Sequence, residues 1–290
     1  MKNKNLKWIY LMILSLVWGS SYILMKKALL GLNPLQVGSL RMIISTIFLL
    51  IIGYSSLKSV PNGKLKWILI TGLIGFFPPF LFAYAQTEID SALAAILNSL
   101  TPLATLLIGV GYYRLKIDSK QIYGVIIGLI GSVILMYQGS VINPDQNILY
   151  VLFIILSSIL YATSLNILKV HLQDVSAVAI TVGNFIFILP LALIVFLNSD
   201  YKQIDLSSLE TKNAIFYIFL LSVFGTVFAK ILFNKFVQIA SPVFVSSVTY
   251  TLPIVALFWG LLDGEIFTLN QLLATVIILV GVYLANKKSS

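Results

Sequence analysis

Two stretches of this chain decide its fold: SALAAILNSLTPLATLLIGVG at 91–111 and PVFVSSVTYTLPIVALFWGLL at 242–262. Each is long enough to cross the roughly 30 Å hydrocarbon core of a bilayer as a helix, and neither carries a charge. Each holds a proline near its middle, Pro102 and Pro253, and a shift of 151 residues lays one on the other together with Gly109 on Gly260. Proline lacks the amide that would bond the carbonyl four residues back, so it frees the carbonyls of Asn98 and Thr249. In lipid a freed carbonyl is tolerated only where protein or a water-filled cavity satisfies it. An apolar helix interrupted by proline, present twice, points to a repeated membrane unit built around something polar.

The match extends beyond these two helices. A shift of 142 lays Leu14-Ser15 on Leu156-Ser157, Ser21 on Thr163 and Lys27 on Lys169, and a shift of 150 pairs Gly75 with Gly225, Gln121 with Gln271 and Gly131 with Gly281. The extra residues fit the longer connection around 198–213. Apolar runs fall at 8–25, 34–53, 67–86, 91–112 and 121–138, then at 148–168, 175–197, 214–234, 242–262 and 270–285. With an odd number of helices in each half, the second must enter the membrane upside down relative to the first. The expected fold is an all-α membrane protein of ten transmembrane helices in two inverted-topology five-helix repeats, 1–138 and 139–290. Repeats of that kind typify secondary transporters and place the substrate site near the midplane between them.

Composition agrees. Of 290 residues, 59% are hydrophobic and 10% charged, and the mean hydropathy is +1.00, so the chain has too little polar surface to cover a soluble globule and the lipid bilayer is its first partner. The net charge of +9 would suit nucleic acid, but its placement argues otherwise. With the N-terminus inside, thirteen of the 19 basic residues fall in cytoplasmic connections, and only Lys26, Lys27, Lys202 and Lys212 fall in outer ones. This is the positive-inside pattern. It predicts no nucleic-acid partner, a bacterial inner-membrane location and both termini cytoplasmic. Lys2, Lys4 and Lys7 ahead of the first run would suit a secretory leader, but no small-x-small site follows, and the run reads as a retained helix. With no cysteine there are no thiolate metal ligands, and neither a metal nor a cofactor is expected. The lone His171 reads as a solvated residue of a short connection.

Small and polar residues recur at helical spacing about the prolines: Ser91, Ala94, Asn98, Thr101 and Thr105 in one helix, Pro242, Ser246, Thr249, Pro253, Ala256 and Gly260 in the other, with Tyr250 alongside. Both stripes should face inward, either lining a cavity or letting helices pack closely. Helix one adds Ser15, Trp18, Gly19 and Tyr22, and helix six adds Ser157, Tyr161 and Ser164, with Asn166 close by. All ten carboxylates fall in connections, whereas Arg41 and Lys230 fall within runs. Charges inside a membrane are functional suspects, although long side chains can also snorkel or cap carbonyls. If either points inward it favours a substrate bearing a carboxylate or other anionic group. Gly124 and Gly128 form a G-x-x-x-G that permits close contact, within the chain or between protomers, and the oligomeric state is left open.

Trp18-Gly19-Ser20-Ser21 followed by Lys26 or Lys27, Pro34 with Arg41, and Ala83-Tyr84-Ala85 leading to Ser91-Ala92-Leu93-Ala94-Ala95 and Pro102 make a recognisable series. Ala240-Ser241-Pro242 to Pro253, Gly264-Glu265 and Gln271 to Gly281 look like the same block again. Over essentially its whole length the chain resembles the drug/metabolite transporter superfamily, specifically its ten-helix EamA-type members. One departure is plain: where that family usually has Gly-Glu after helix four, this chain has Tyr113-Arg114. The resemblance implies a central pathway enclosed by helices one, three, four, six, eight and nine, which adds Tyr84 and Lys230 to the set. It also implies secondary transport of a small-molecule substrate by alternating access, with export of amino acids or related compounds the commonest activity. The competing reading, a membrane-embedded lipid-modifying enzyme, needs clustered acid/base residues or metal ligands. One histidine and scattered acids do not supply them. Direct ATP use would need a G-x-x-x-x-G-K-[ST] loop, and the sequence has none. With no Asp, Glu or His inside a run, coupling falls to a substrate gradient, or to protons acting through the substrate or an end-lying Glu88 or Glu265.

Overall fold

The computed structural model describes residues 2–89, 91–139, 148–262 and 269–286, and its regular elements are all helical. In chain order they are α1 (Lys2–Ala28), α2 (Pro34–Gly53) and α3 (Asn62–Ala85), then α4 (Ser91–Leu97), which passes through a 3₁₀ turn at Asn98–Leu100 into α5 (Thr101–Gly111). There follow α6 (Ser119–Gly139), α7 (Ile148–His171) and α8 (Ala177–Leu197), then α9 (Leu209–Ser222), which passes through a π-helical turn at Val223–Phe228 into α10 (Ala229–Ile239). The last elements are α11 (Pro242–Ser246), α12 (Val248–Leu262) and α13 (Leu269–Asn286). Asp90, Asp145, Asp263, the Gly264-Glu265 pair, Lys287 and Lys288 lie outside the described residues, as does the side chain of Gln271.

Polar caps set the helix starts. Asn33 accepts from the Gln36 amide at 2.9 Å while the Gln36 side chain accepts from the Asn33 amide at 3.0 Å, and Pro34 supplies the first residue of α2. This closed capping box satisfies two amides that a helix start leaves without partners. Ser176 and Ser208 cap α8 and α9, and Ser241 caps α11 ahead of Pro242. Among the described residues, six helices are long and apolar enough to cross a membrane, including Asn5–Ala28, Asn62–Ala85 and Leu209–Ile239, and shorter apolar helices such as Asn98–Gly111 and Pro242–Val255 accompany them. Their outward faces are greasy: Ile51, Leu30 and Leu209 are more than 70% exposed. So much exposed apolar surface requires lipid rather than water, and the protein is an integral membrane protein.

Helices from opposite ends of the sequence interlock. α1 packs on α12 and α7 on α5; α3 packs on α7, and α9 with α10 on α1; α2 packs on α8 and α6 on α13. The α6–α13 crossing is the tightest in character. A Cβ on Gly281 would stand 2.5 Å from the amide nitrogen of Gly128, so only glycine lets the two backbones meet there. The G-x-x-x-G contact therefore lies within the chain.

The proline helices handle their freed carbonyls with hydroxyls. Thr101 donates to the carbonyl of Asn98 at 2.7 Å, and the Thr101 amide also turns back to it through the 3₁₀ turn. Ser99 donates to the carbonyl of Thr249 at 3.3 Å. Each proline-freed acceptor is thus satisfied by protein, and the second of these bonds joins the two proline helices.

Candidate functional site

Among the described residues, a cavity of about 140 Å³ lies between the two halves, lined from α1, α2, α3, α4–α5, α7, α8, α9–α10 and α11–α12. Its polar lining comes from Trp18, Ser21, Tyr22, Arg41, Thr71, Gln86, Asn98, Thr101, Tyr161, Ser164, Thr181, Asn184, Thr226, Lys230, Asn234, Ser246 and Thr249. That described lining includes two cations and no Asp, Glu or His.

Most of these groups are held by hydrogen bonds that cross between helices. Asn98 donates from Nδ2 to the Tyr22 hydroxyl at 2.9 Å, while its Oδ1 lies 3.0 Å from the Thr101 hydroxyl and 3.4 Å from that of Ser158. One carboxamide therefore joins α1, the 3₁₀ turn and α7. Asn234 donates to Thr181 at 2.9 Å, and Thr71 pairs with Asn184 at 3.0 Å. Phe82 supplies an aromatic floor, edge-on to Tyr22 and stacked on Tyr161 at 6.2 Å.

The π-helical turn positions one cation. Widening the helix at 223–228 leaves the Gly225 carbonyl available to other helices. Trp18 donates to it from Nε1 at 3.0 Å and Arg41 from Nη2 at 3.4 Å. Arg41 also donates from Nε to the Thr226 hydroxyl at 2.7 Å. π-turns concentrate at functional sites because they redirect backbone groups in this way. Gly225 also packs closely on α1: a Cβ there would stand 2.8 Å from the Ser21 hydroxyl, which would have to turn away. One turn further on, Lys230 places its ammonium over the Tyr161 ring, 5.2 Å from the centroid. Arg41 caps a carbonyl, as a structural arginine would, and also faces the cavity; Lys230 faces the cavity rather than the headgroups.

The sequence-derived candidates divide by position. Trp18, Tyr22, Arg41, Asn98, Thr101, Tyr161, Lys230 and Thr249 line the cavity. Tyr84 packs against Phe153 instead. Asn166, fully buried, donates to the carbonyls of Thr105 and Ala162 and so fastens α7 to α5. Tyr250, also fully buried, donates to the Val125 carbonyl at 2.8 Å and lies against Gly128. Pro102 and Pro253 are buried within their helices and shape the backbone that carries Asn98, Thr101 and Thr249. Gln86, Asn184 and Asn234 line the cavity without having been singled out. Gln86 sits at a helix end and reads as an ordinary cap, whereas the two asparagines were legible as amides inside apolar runs.

At the lysine-rich end, contacts outside the cavity lining tie α3, α7 and α10 together. Lys169 donates to the carbonyls of Val237 and Ala240, Gln238 donates to Val175, and Lys64 bonds the His171 carbonyl and pairs with Asp174 at 2.8 Å. His171 closes α7 and stacks flat on Trp67 at 3.6 Å, so it is a packed residue rather than a solvated one.

Known proteins resemble this chain over its full length. The pattern of the EamA-like transporter family matches residues 6–137 and again 148–287. An uncharacterized transporter of Archaeoglobus fulgidus is 24% identical over 97% of this chain and 99% of its own. The uncharacterized inner membrane transporter YedA of Escherichia coli is 23% identical over 94% of this chain and 88% of its own. A solved crystal structure superposes with a TM-score of 0.73 at 14% identity, covering 96% of this chain and 95% of that one, which speaks to fold alone.

Proposed function

Because the chain belongs to the EamA-like transporter family, we propose that it is a secondary transporter that moves a small metabolite across the bacterial inner membrane by alternating access. Ten spans in two oppositely inserted halves rock about the central cavity, and both termini face the cytoplasm. Three observations support the architecture. The family pattern matches once in each half. The helix pairs come in related couples: α1 on α12 answers α7 on α5, α3 on α7 answers α1 on α9–α10, and α2–α8 and α6–α13 answer themselves. The basic residues favour one side.

The observation that carries the functional reading is the cavity's charge. Arg41 and Lys230 face it, and its described lining offers no carboxylate. Uncompensated cations are costly in a low-dielectric setting, so the solute that belongs there brings negative charge. Amino acids and related carboxylates fit, with export as the direction, and Trp18, Tyr22, Asn98, Thr101, Tyr161 and Thr249 form the remaining contacts. With no Asp, Glu or His in the described lining, the drive comes from the solute gradient, or from protons acting through the solute or an end-lying Glu88 or Glu265. Purified protein in liposomes loaded with a mixture of amino acids and small carboxylates should release one or more of them unchanged, far faster than protein-free liposomes. Retention of every solute, or its chemical conversion, would contradict the assignment.

A further inference from the structure

Gln86 stands apart from the rest of the lining. It is 5% exposed, it borders the cavity, and neither its Nε2 nor its Oε1 has a hydrogen-bond partner among the described residues. Other carboxamides of the lining are tied into helix contacts, Asn98 by Tyr22 and Thr101, Asn234 by Thr181. Buried carboxamides are almost always bonded, and this one keeps both a donor and an acceptor in reserve. It closes α3, one helical turn beyond Phe82, whose ring stacks on Tyr161. Tyr161 in turn carries the Lys230 ammonium on its ring. Neither the Tyr161 hydroxyl nor that ammonium has a hydrogen-bond partner among the described residues. A cationic locus and an unpaired, buried carboxamide therefore border the same cavity.

Resting on the transporter reading, we infer that Gln86 is a specificity residue. The preferred substrate is a small organic anion that also carries a neutral amide or similar donor–acceptor group. The anion meets Lys230 and Arg41, and the amide pairs with Gln86 in the two-bond manner that carboxamides allow. A site built to bond a polar group discriminates strongly against an analogue that lacks it, because the site's own polar atoms are then left unpaired.

The test uses three probes on the purified full chain. N-acetyl-β-alanine carries both groups, hexanoate only the carboxylate, and N-propylacetamide only the amide. Calorimetric titration should give N-acetyl-β-alanine at least a tenfold advantage over either of the others. Gln86→Met should bring it down to the wild-type hexanoate level, and Gln86→Glu, which adds a negative charge, should weaken both anions. Lys230→Met should weaken both anions and leave N-propylacetamide unchanged. An unchanged N-acetyl-β-alanine affinity in Gln86→Met, or no preference for it in the wild type, overturns the inference. Liposomes distinguish loss of this specificity from loss of transport altogether. Protein that moves other solutes but neither binds nor moves N-acetyl-β-alanine remains a transporter without this specificity, whereas protein that moves nothing fails as a transporter.

Discussion

Arg41 is held by its shape as much as by its charge. Its guanidinium reaches the Gly225 carbonyl and the Thr226 hydroxyl together, a fork that lysine cannot reproduce. Under the proposed function a charge-assisted bond from the same guanidinium to an anionic solute contributes about 1.5–3 kcal/mol, or roughly 10–100-fold in affinity. Arg41→Gln should therefore raise the KM for an anionic solute by about that factor, with Arg41→Lys recovering only part of it. Removing an uncompensated cation also relieves a desolvation cost, so membrane abundance should stay near wild type. Concentration-dependent flux in liposomes checks this, and equal losses for neutral and anionic solutes would show that the charge is not read. Arg41 and Lys230 were legible because a charge inside an apolar run is conspicuous. Gln86 was not, because a glutamine next to Thr87 and Glu88 at a helix end looks like a solvated cap. Its burial depends on helices distant in sequence.

At the scale of the element, the broken helices carry the chemistry. Pro102 and Pro253 announced the interruptions, and the structure places a 3₁₀ turn at 98–100 and a helix break near Ser247. The way the freed carbonyls are satisfied could not be read locally. The Ser99 bond to Thr249 spans 150 residues, and no periodicity within one helix encodes it. The π-turn at 223–228 is stabilised by donors from α1 and α2, so its own sequence gives no signal. Helix facing had the same limit: Asn166 and Tyr250 have the residue types of a pathway, yet their partners are backbone carbonyls of α5, α7 and α6. Restoring an amide at the first break should re-form a continuous helix and release the Thr101 hydroxyl from the Asn98 carbonyl. Pro102→Leu is therefore expected to slow turnover by about tenfold, the equivalent of roughly 1.4 kcal/mol on the rate-limiting step, while leaving the KM nearly unchanged. A wild-type rate would mean that the kink is incidental to the cycle.

Across the whole molecule, the pairing of helices supports the proposed inverted repeat. The shifts of 142 to 151 residues relate the two halves, and the packing brings each half's helices against the other's rather than leaving two separate bundles. The helical membrane class was legible because apolar runs are a one-dimensional signal. The cavity was legible only in outline, because which faces meet is settled by side chains on eight different segments. At the lysine-rich end, Lys169, Gln238, Lys64 and the His171–Trp67 stack tie α3, α7 and α10 together. Under the proposed alternating access, such ties break and re-form as the protein cycles. The absence of native cysteine permits a direct test at Ser164, which lines the cavity. Ser164→Cys should react with a membrane-impermeant thiol reagent in right-side-out vesicles and also in inside-out vesicles. Reaction from one face only, or from neither, would contradict a central cavity that opens to each side in turn.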